Sequence, residues 1–417
     1  MKKYLAILLT LTILVFAAAC GPPAVPVESG DETNPSQSGD ASQPVVNTDP
    51  IKIGCIQDTT GGASIAGKPN EWGVAYAVQW INDNGGINGR MLELHTRDCQ
   101  NDAEVGVTNY RELVDEVGVV AIIGPPLSNP ASAWVDLSEE DQVPIVGHFM
   151  DELCTTNPDT GETYPYMFLA EPSCSVQSYI LAKYAMEDLG VKSVASLFNV
   201  SNAYAVAHER PFMEYIEDHG GSVLAQETFT WTDTDYSAQA QKIASLNPDA
   251  VLLCDYANQM VTAYDNLRDA GYTGKILGAN TMYPPFNTLV KNQIPYDCYF
   301  VQNYDLKDTE TGIIADLVAT QMADTGTDYP TSNVGFGWDA TMVLYSAMLK
   351  AQDPTNGPEV RDILENDTKN VMSSGGQYIS IDPATHRPTL DLGMYIATYD
   401  DSNDIICLVY RTTDYSK

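Results

Sequence analysis

The chain has 417 residues, room for two or three domains of ordinary size. Asp and Glu number 56 against 21 Lys and Arg, a formal net charge of -35. Such a surface repels phosphate backbones and anionic headgroups, which excludes nucleic-acid and polybasic membrane binding, while aliphatic and aromatic residues spread along the chain argue for a folded protein.

In chain order, Lys2 and Lys3 precede an uncharged, mostly apolar run from Tyr4 to Ala19, which predicts a signal peptide over residues 1–19 rather than a membrane span. The run ends Ala17-Ala18-Ala19-Cys20-Gly21 and resembles the bacterial lipobox, with Ala17 where Leu is usual. That resemblance implies lipidation of Cys20; the alternative is ordinary cleavage after Ala19 that leaves Cys20 unmodified. Residues 20–50 are rich in Pro, Ser, Gly, Asp and Asn without apolar periodicity, as in a flexible acidic tether.

From residue 51 strands and helices alternate. Strands are predicted at 51–56, 91–96, 119–125 and 143–146, with helices at 70–84, 104–117 and 131–140 between them. Gly85-Gly86 stops the first helix, and Gly124-Pro125 closes the third strand. The rhythm restarts after Glu171-Pro172, with helices at 176–189, 204–219, 237–246 and 259–270 and strands at 193–199, 223–229, 250–254 and 275–278. A strand at 299–304, helices at 312–325 and 333–351 and a hairpin within 392–410 complete the pattern. Such β-α repetition implies an α/β fold with parallel sheets covered by helices, arranged as two doubly wound lobes whose strand ends face a cleft.

Eight cysteines are present and none forms a CxxC pair, while five scattered histidines offer no zinc pattern, so no metal or cofactor is expected. Cys55, Cys254 and Cys407 sit in apolar runs and read as buried small hydrophobes. Cys154 with Cys174 is the disulfide pair to test first.

Several segments, in order, resemble the branched-chain (Leu/Ile/Val) amino-acid binding proteins of ABC importers. They are Ile51-Lys52-Ile53-Gly54, Thr60-Gly61-Gly62 with Gly67, Ile81-Asn82-Asp83-Asn84-Gly85-Gly86-Ile87-Asn88-Gly89-Arg90, Asp98-Cys99-Gln100-Asn101-Asp102, Ile122-Ile123-Gly124-Pro125 and Pro248-Asp249-Ala250-Val251. The resemblance runs from about 51 to 410. It implies the type I periplasmic-binding-protein fold, two Rossmann-like lobes joined by a three-strand hinge. Lobe 1 would take 51–171 plus 303–385, and lobe 2 would take 172–302 plus 386–417. It also implies no catalysis, a small-molecule ligand (an amino acid or a related compound), ABC permease subunits as partners, and an extracytoplasmic, lipid-anchored location.

The same resemblance points to Ser128 and to the loop Gly147-His148-Phe149 as the holders of a ligand carboxylate. A helix starting near Asn129-Pro130 would aim unpaired N–H groups at that anion, although a serine there also reads as a plain N-cap. In the family an acid in a Gly-x-Glu/Asp turn faces the ligand ammonium; here the turn reads Gly278-Ala279-Asn280. Asn280 cannot pair an ammonium as a carboxylate does, so either Asp255 substitutes or the ligand is a small amide, a urea or a carboxylic acid. Tyr204, Tyr256, Phe336 and Trp338 match cleft aromatics, with core packing as the plain reading of Trp338. Thr60 and Ser64 are weaker polar candidates.

Two rival classes stand beside a transport protein. An enzyme would call for a nucleophile elbow, a phosphate loop or His-Glu-x-x-His, and none is present. A sensor would hand its ligand to a separate receptor.

Overall fold

The computed structural model describes residues 48–291, 297–389 and 392–411. The leader, Cys20 and most of the tether lie outside these residues. No helix among the described residues is long and apolar enough to cross a membrane.

Two sheets organise the chain. The first contains β1 (Ile51–Gln57), β2 (Leu92–Asp98), β3 (Ile122–Ile123), β4 (Ile145–Gly147) and β5 (Met167–Leu169) in the order β2-β1-β3-β4-β5, all parallel. The second contains β6 (Ser193–Asn199), β7 (Ser222–Phe229), β8 (Ala250–Cys254), β9 (Lys275–Gly278) and β10 (Cys298–Gln302) in the parallel order β7-β6-β8-β9-β10. An antiparallel hairpin, Met394–Tyr399 with Ile405–Arg411, extends its β10 edge. Both parallel sheets thus have the doubly wound 2-1-3-4-5 order.

Strand alternation feeds a core on each face. Ile51, Ile53, Val146 and Phe168 pack against Val343 and Leu344 of the helix Asn333–Lys350. Ile56, Ile122 and Ile145 face Tyr110, Leu113 and Trp134 on the opposite side. In the second sheet Ala195 and Leu253 meet Tyr264 and Leu267, whereas their neighbours Val194 and Leu252 meet Leu181 and Phe212. Strands buried on both faces read as near-continuous apolar runs, which is why 250–254 was readable without ambiguity.

The helices Ser64–Asp83 and Asn333–Lys350 cross with their backbones in contact. A Cβ on Gly73 would lie 2.2 Å from the Val334 carbonyl oxygen, and one on Gly337 would lie 2.1 Å from the Asn70 carbonyl oxygen. Glycine is required on both sides of this crossing because any side chain would separate the helices.

A buried acid cluster lies where the chain passes between the sheets. Glu171 follows β5, Asn303 and Tyr304 follow β10, and Asp339 belongs to the helix that covers the first sheet. The Tyr304 hydroxyl oxygen is 2.8 Å from Glu171 Oε1 and 2.9 Å from Asp339 Oδ2. Asn303 Nδ2 donates to Glu171 Oε2 at 2.8 Å, and the Ser374 amide donates to Asp339 Oδ1 at 2.5 Å. The two Tyr304 contacts need two protons and the phenol supplies one, so a carboxyl group supplies the other. Burial pushes both carboxyls up, Asp339 to about 7.

The cysteine pairing expected first is not present. Cys154 and Cys174 are both free and buried. The Cys154 thiol donates to the Ser128 carbonyl at 3.5 Å instead. Cys55 and Cys254 are buried and Cys407 is partly buried.

Candidate functional site

The carboxyl ends of the parallel strands in the two sheets face one another across a small space. Ala66, Ser128, His148 and Met150 border it from the first sheet's loops, and Tyr204, Tyr256 and Asn280 border it from the second. Phe336 and Asn333, at the start of the helix 333–350, close the floor, and the space continues toward Ala63, Asn258, Thr281 and Pro284. Direct bonds cross between the two sets of loops. Asn129 Nδ2 donates to the Ser201 carbonyl at 3.2 Å, and Asn129 Oδ1 accepts from the Ala203 amide at 2.9 Å.

Each polar group has a definable state. Ser128 Oγ accepts the Asp151 amide at 3.2 Å, which leaves its own proton for a further acceptor. Ser128 opens the turn Ser128–Ser132 but does not cap it with its side chain. That turn is five residues long, so the dipole expected at this end is that of a single turn and contributes little.

His148 is buried with its ring stacked on Phe336, centroids 5.2 Å apart. Asn70 Nδ2 lies 2.9 Å from its Nδ1. Burial lowers the His148 pKa to about 3, so the imidazole is neutral at physiological pH. Asn70 escaped the sequence reading because nothing local signals a buried amide whose partner is 78 positions away.

On the facing side, the Asn202 side chain caps the helix Ala203–Asp218 by accepting the Tyr204 amide at 3.2 Å, which fixes the start of Tyr204. The Tyr204 hydroxyl donates to Asn280 Oδ1 at 2.7 Å. Asn280 Nδ2 makes one weak contact among the described residues, to the Met150 sulfur at 3.7 Å. Tyr256 stacks between Tyr204 and Trp231, at centroid separations of 5.9 and 5.7 Å. Its hydroxyl is buried beside the Asn202 side chain and makes no hydrogen bond of ordinary geometry among the described residues, an arrangement that costs stability unless a ligand completes it. Burial holds both phenols well above their ordinary pKa.

The remaining expected residues fall elsewhere. Gly147 ends β4, its carbonyl accepting the Ala170 amide at 2.8 Å. Phe149 points away from the space into the core with Trp134, Cys154 and Met167. In this extended loop alternate residues face opposite sides, which sends His148 and Met150 inward and Phe149 outward. Asp255, fully buried, precedes Tyr256: its Oδ1 accepts from Asn202 Nδ2 and from the Tyr256 amide, both at 2.8 Å, and its Oδ2 makes no hydrogen bond of ordinary geometry among the described residues, with the Asn199 side chain beside the carboxyl. Burial raises its pKa to about 6. Thr60 is exposed and donates to Asp98, Ser64 begins the helix 64–83, and Trp338 packs on Tyr76 and Trp80. No His/Cys/Asp/Glu group suited to a metal occurs among the described residues.

Known proteins share this architecture. The crystal structure of a leucine-binding protein, LivK, from Thermotoga maritima superposes with a TM-score of 0.77 at 22% identity, covering 87% of this chain and 99% of that one. The branched-chain amino-acid transporter substrate-binding protein LivJ from Streptococcus pneumoniae, in complex with isoleucine, gives 0.76 at 23% identity, with 87% and 99% covered. In sequence, a Leu/Ile/Val-binding protein homologue of Brucella melitensis is 26% identical over 238 residues, 56% of this chain and 63% of that protein. The chain thus spans less than two thirds of that relative's length. These relatives are binding proteins rather than enzymes. The sequence matches the periplasmic binding protein family over residues 50–404, and the chain belongs to that family.

Proposed function

We propose that this protein is the extracytoplasmic binding subunit of an ABC importer, anchored by lipid on Cys20, and that it captures a small polar molecule of amino-acid size between its two sheets. The observation that carries this reading is that one space is bordered by Tyr256, Ser128 and Asn280, each with hydrogen-bonding capacity to spare. The relatives named for leucine, isoleucine and valine suggest the size of the ligand. In this account two lobes, meeting at the crossings near Glu171, Tyr304 and Leu392, close on it.

Ser128→Ala tests the site. It removes one donor and also frees the buried Asp151 amide. Affinity for the ligand is expected to fall by about 1–2 kcal/mol, read by calorimetric titration at a temperature where the variant is folded, and the unfolding midpoint of the free protein is expected to fall modestly because the buried Asp151 amide loses its acceptor. Unchanged affinity would remove Ser128 from the site. For the anchor, Cys20→Ser is expected to move the protein from the membrane fraction to the soluble fraction of the expressing cells; retention on the membrane would contradict lipidation.

A further inference from the structure

The charge state of the site has a consequence for its ligand. None of the residues that border the space is Asp, Glu, Lys or Arg. His148, the one ionisable imidazole there, is neutral. Three of these neutral groups can each donate a further hydrogen bond: the Ser128 hydroxyl, the Tyr256 hydroxyl, whose oxygen can also accept, and Asn280 Nδ2. The amide oxygen of Asn280 already accepts the Tyr204 hydroxyl.

We propose that the ligand is a small molecule recognised through a carbonyl or carboxylate oxygen and carrying no ammonium group; the proposal rests on reading this space as the ligand site. An ammonium taken out of water needs an anion or several strong acceptors around its three N–H bonds, and without them burial is prohibitive. The lining offers neutral hydrogen-bonding groups and no anion, and the rings of Tyr204, Tyr256 and Phe336 suit an uncharged body. Asp255 is the nearest acid by chain position, but it does not border the space. It is fully buried, and its Oδ1 is engaged by Asn202 and by the Tyr256 backbone.

Matched compounds test this directly. Calorimetric titration of the purified protein would use leucine, 4-methylpentanoate and 4-methylpentanamide, with a parallel set of phenylalanine, 3-phenylpropanoate and 3-phenylpropanamide. The expected result is that an ammonium-free member binds at least tenfold tighter than its amino acid. The carboxylate and amide arms then show which carbonyl chemistry is preferred. Asn280→Asp, which places an anion against the same space, is expected to reverse the order in favour of the amino acid. Equal or tighter binding of the amino acid to the unaltered protein would overturn the proposal, and its loss on Asp255→Asn would reassign the ammonium to that carboxylate. The ranking on the unaltered protein decides the matter even if the Asn280 variant folds poorly. No binding of any compound to either protein would remove the site reading itself, and the proposal with it.

Discussion

Asp339→Asn is expected to stabilise the protein at neutral pH and to flatten the fall of its stability as pH rises. In the native state Asp339 and Glu171 flank one phenol, and the hydrogen bonds to both require a proton from a carboxyl. The groups that bond to the pair are uncharged: Tyr304, Asn303 and the Ser374 amide. The unfolded chain releases that proton near pH 4, whereas the folded protein holds it until about 7. Between these values the native state binds more protons than the unfolded one, so stability is greatest at the acid end and declines upward, by about 1.4 kcal/mol per pH unit for one retained proton. The asparagine mimics the protonated acid, since its Nδ2 donates to Tyr304 and its Oδ1 still accepts from Ser374.

Two buried histidines act in the opposite sense. His148 and His208 are both lowered to about 3 by burial, so their contribution is lost as pH falls from about 6.5. The measurement is therefore the difference between variant and native denaturant midpoints from pH 4 to pH 8, in which the histidines cancel. The account expects a difference that is near zero at pH 4 and grows to pH 7. A difference independent of pH would show that Asp339 does not hold the proton.

Gly337→Ala is expected to cost roughly 2–4 kcal/mol of stability and to weaken ligand binding along with it. The added methyl would lie 2.1 Å from the Asn70 carbonyl oxygen and 2.8 Å from the Val74 nitrogen, both of them backbone atoms that cannot rotate aside. The helices must separate. The residues they carry to the site, Asn70 beside His148 and Phe336 against the same ring, then move with them. Leu349→Ala, at an exposed position on the same helix, serves as the control and is expected to change neither property by more than about 0.5 kcal/mol. A Gly337→Ala protein with native stability would mean that the crossing is looser than the structure describes.

Where short apolar runs are bounded by strong punctuation, the sequence is sufficient: 193–199, 237–246, 250–254 and 275–278 are read with their observed limits. Elsewhere tertiary bonding decides. The run 119–125 looks like one long strand, but the regular ladder is confined to Ile122–Ile123: Val120, Ala121 and Gly124 add single backbone bonds to Lys52, Gly54 and Val146, the Val119 amide turns back to Leu113, and Pro125 has no N–H to give. The first helix begins at Ser64 rather than near Asn70, because the Asp58 side chain gathers the Gly61 and Ala63 amides and Pro69 is accommodated early in the helix. The helix expected at 131–140 is two, broken at Ala133-Trp134, and the one at 104–117 ends in a wider π turn. The helix Gly357–Asp367, capped by the Asn356 side chain, is an element beyond those the sequence pattern predicts.

The site shows the same division. Ser128, His148, Tyr204, Tyr256, Asn280 and Phe336, named from the order of motifs, come together around one space. Which neighbour in a loop faces inward depends on a half-turn of backbone, and this separates His148 from Phe149. Asn70 and Met150 reach the site through contacts that no local pattern announces.

The central claim is that a small polar molecule fills the space between the sheets and satisfies the Tyr256 hydroxyl. Its most direct test is calorimetric titration of the ligand against the native protein and Tyr256→Phe, which removes one oxygen and leaves the ring stack intact. The account predicts one molecule bound per chain and an affinity about tenfold lower in the variant, a loss of roughly 1.4 kcal/mol. Equal affinity in the two proteins would place the ligand elsewhere and contradict it.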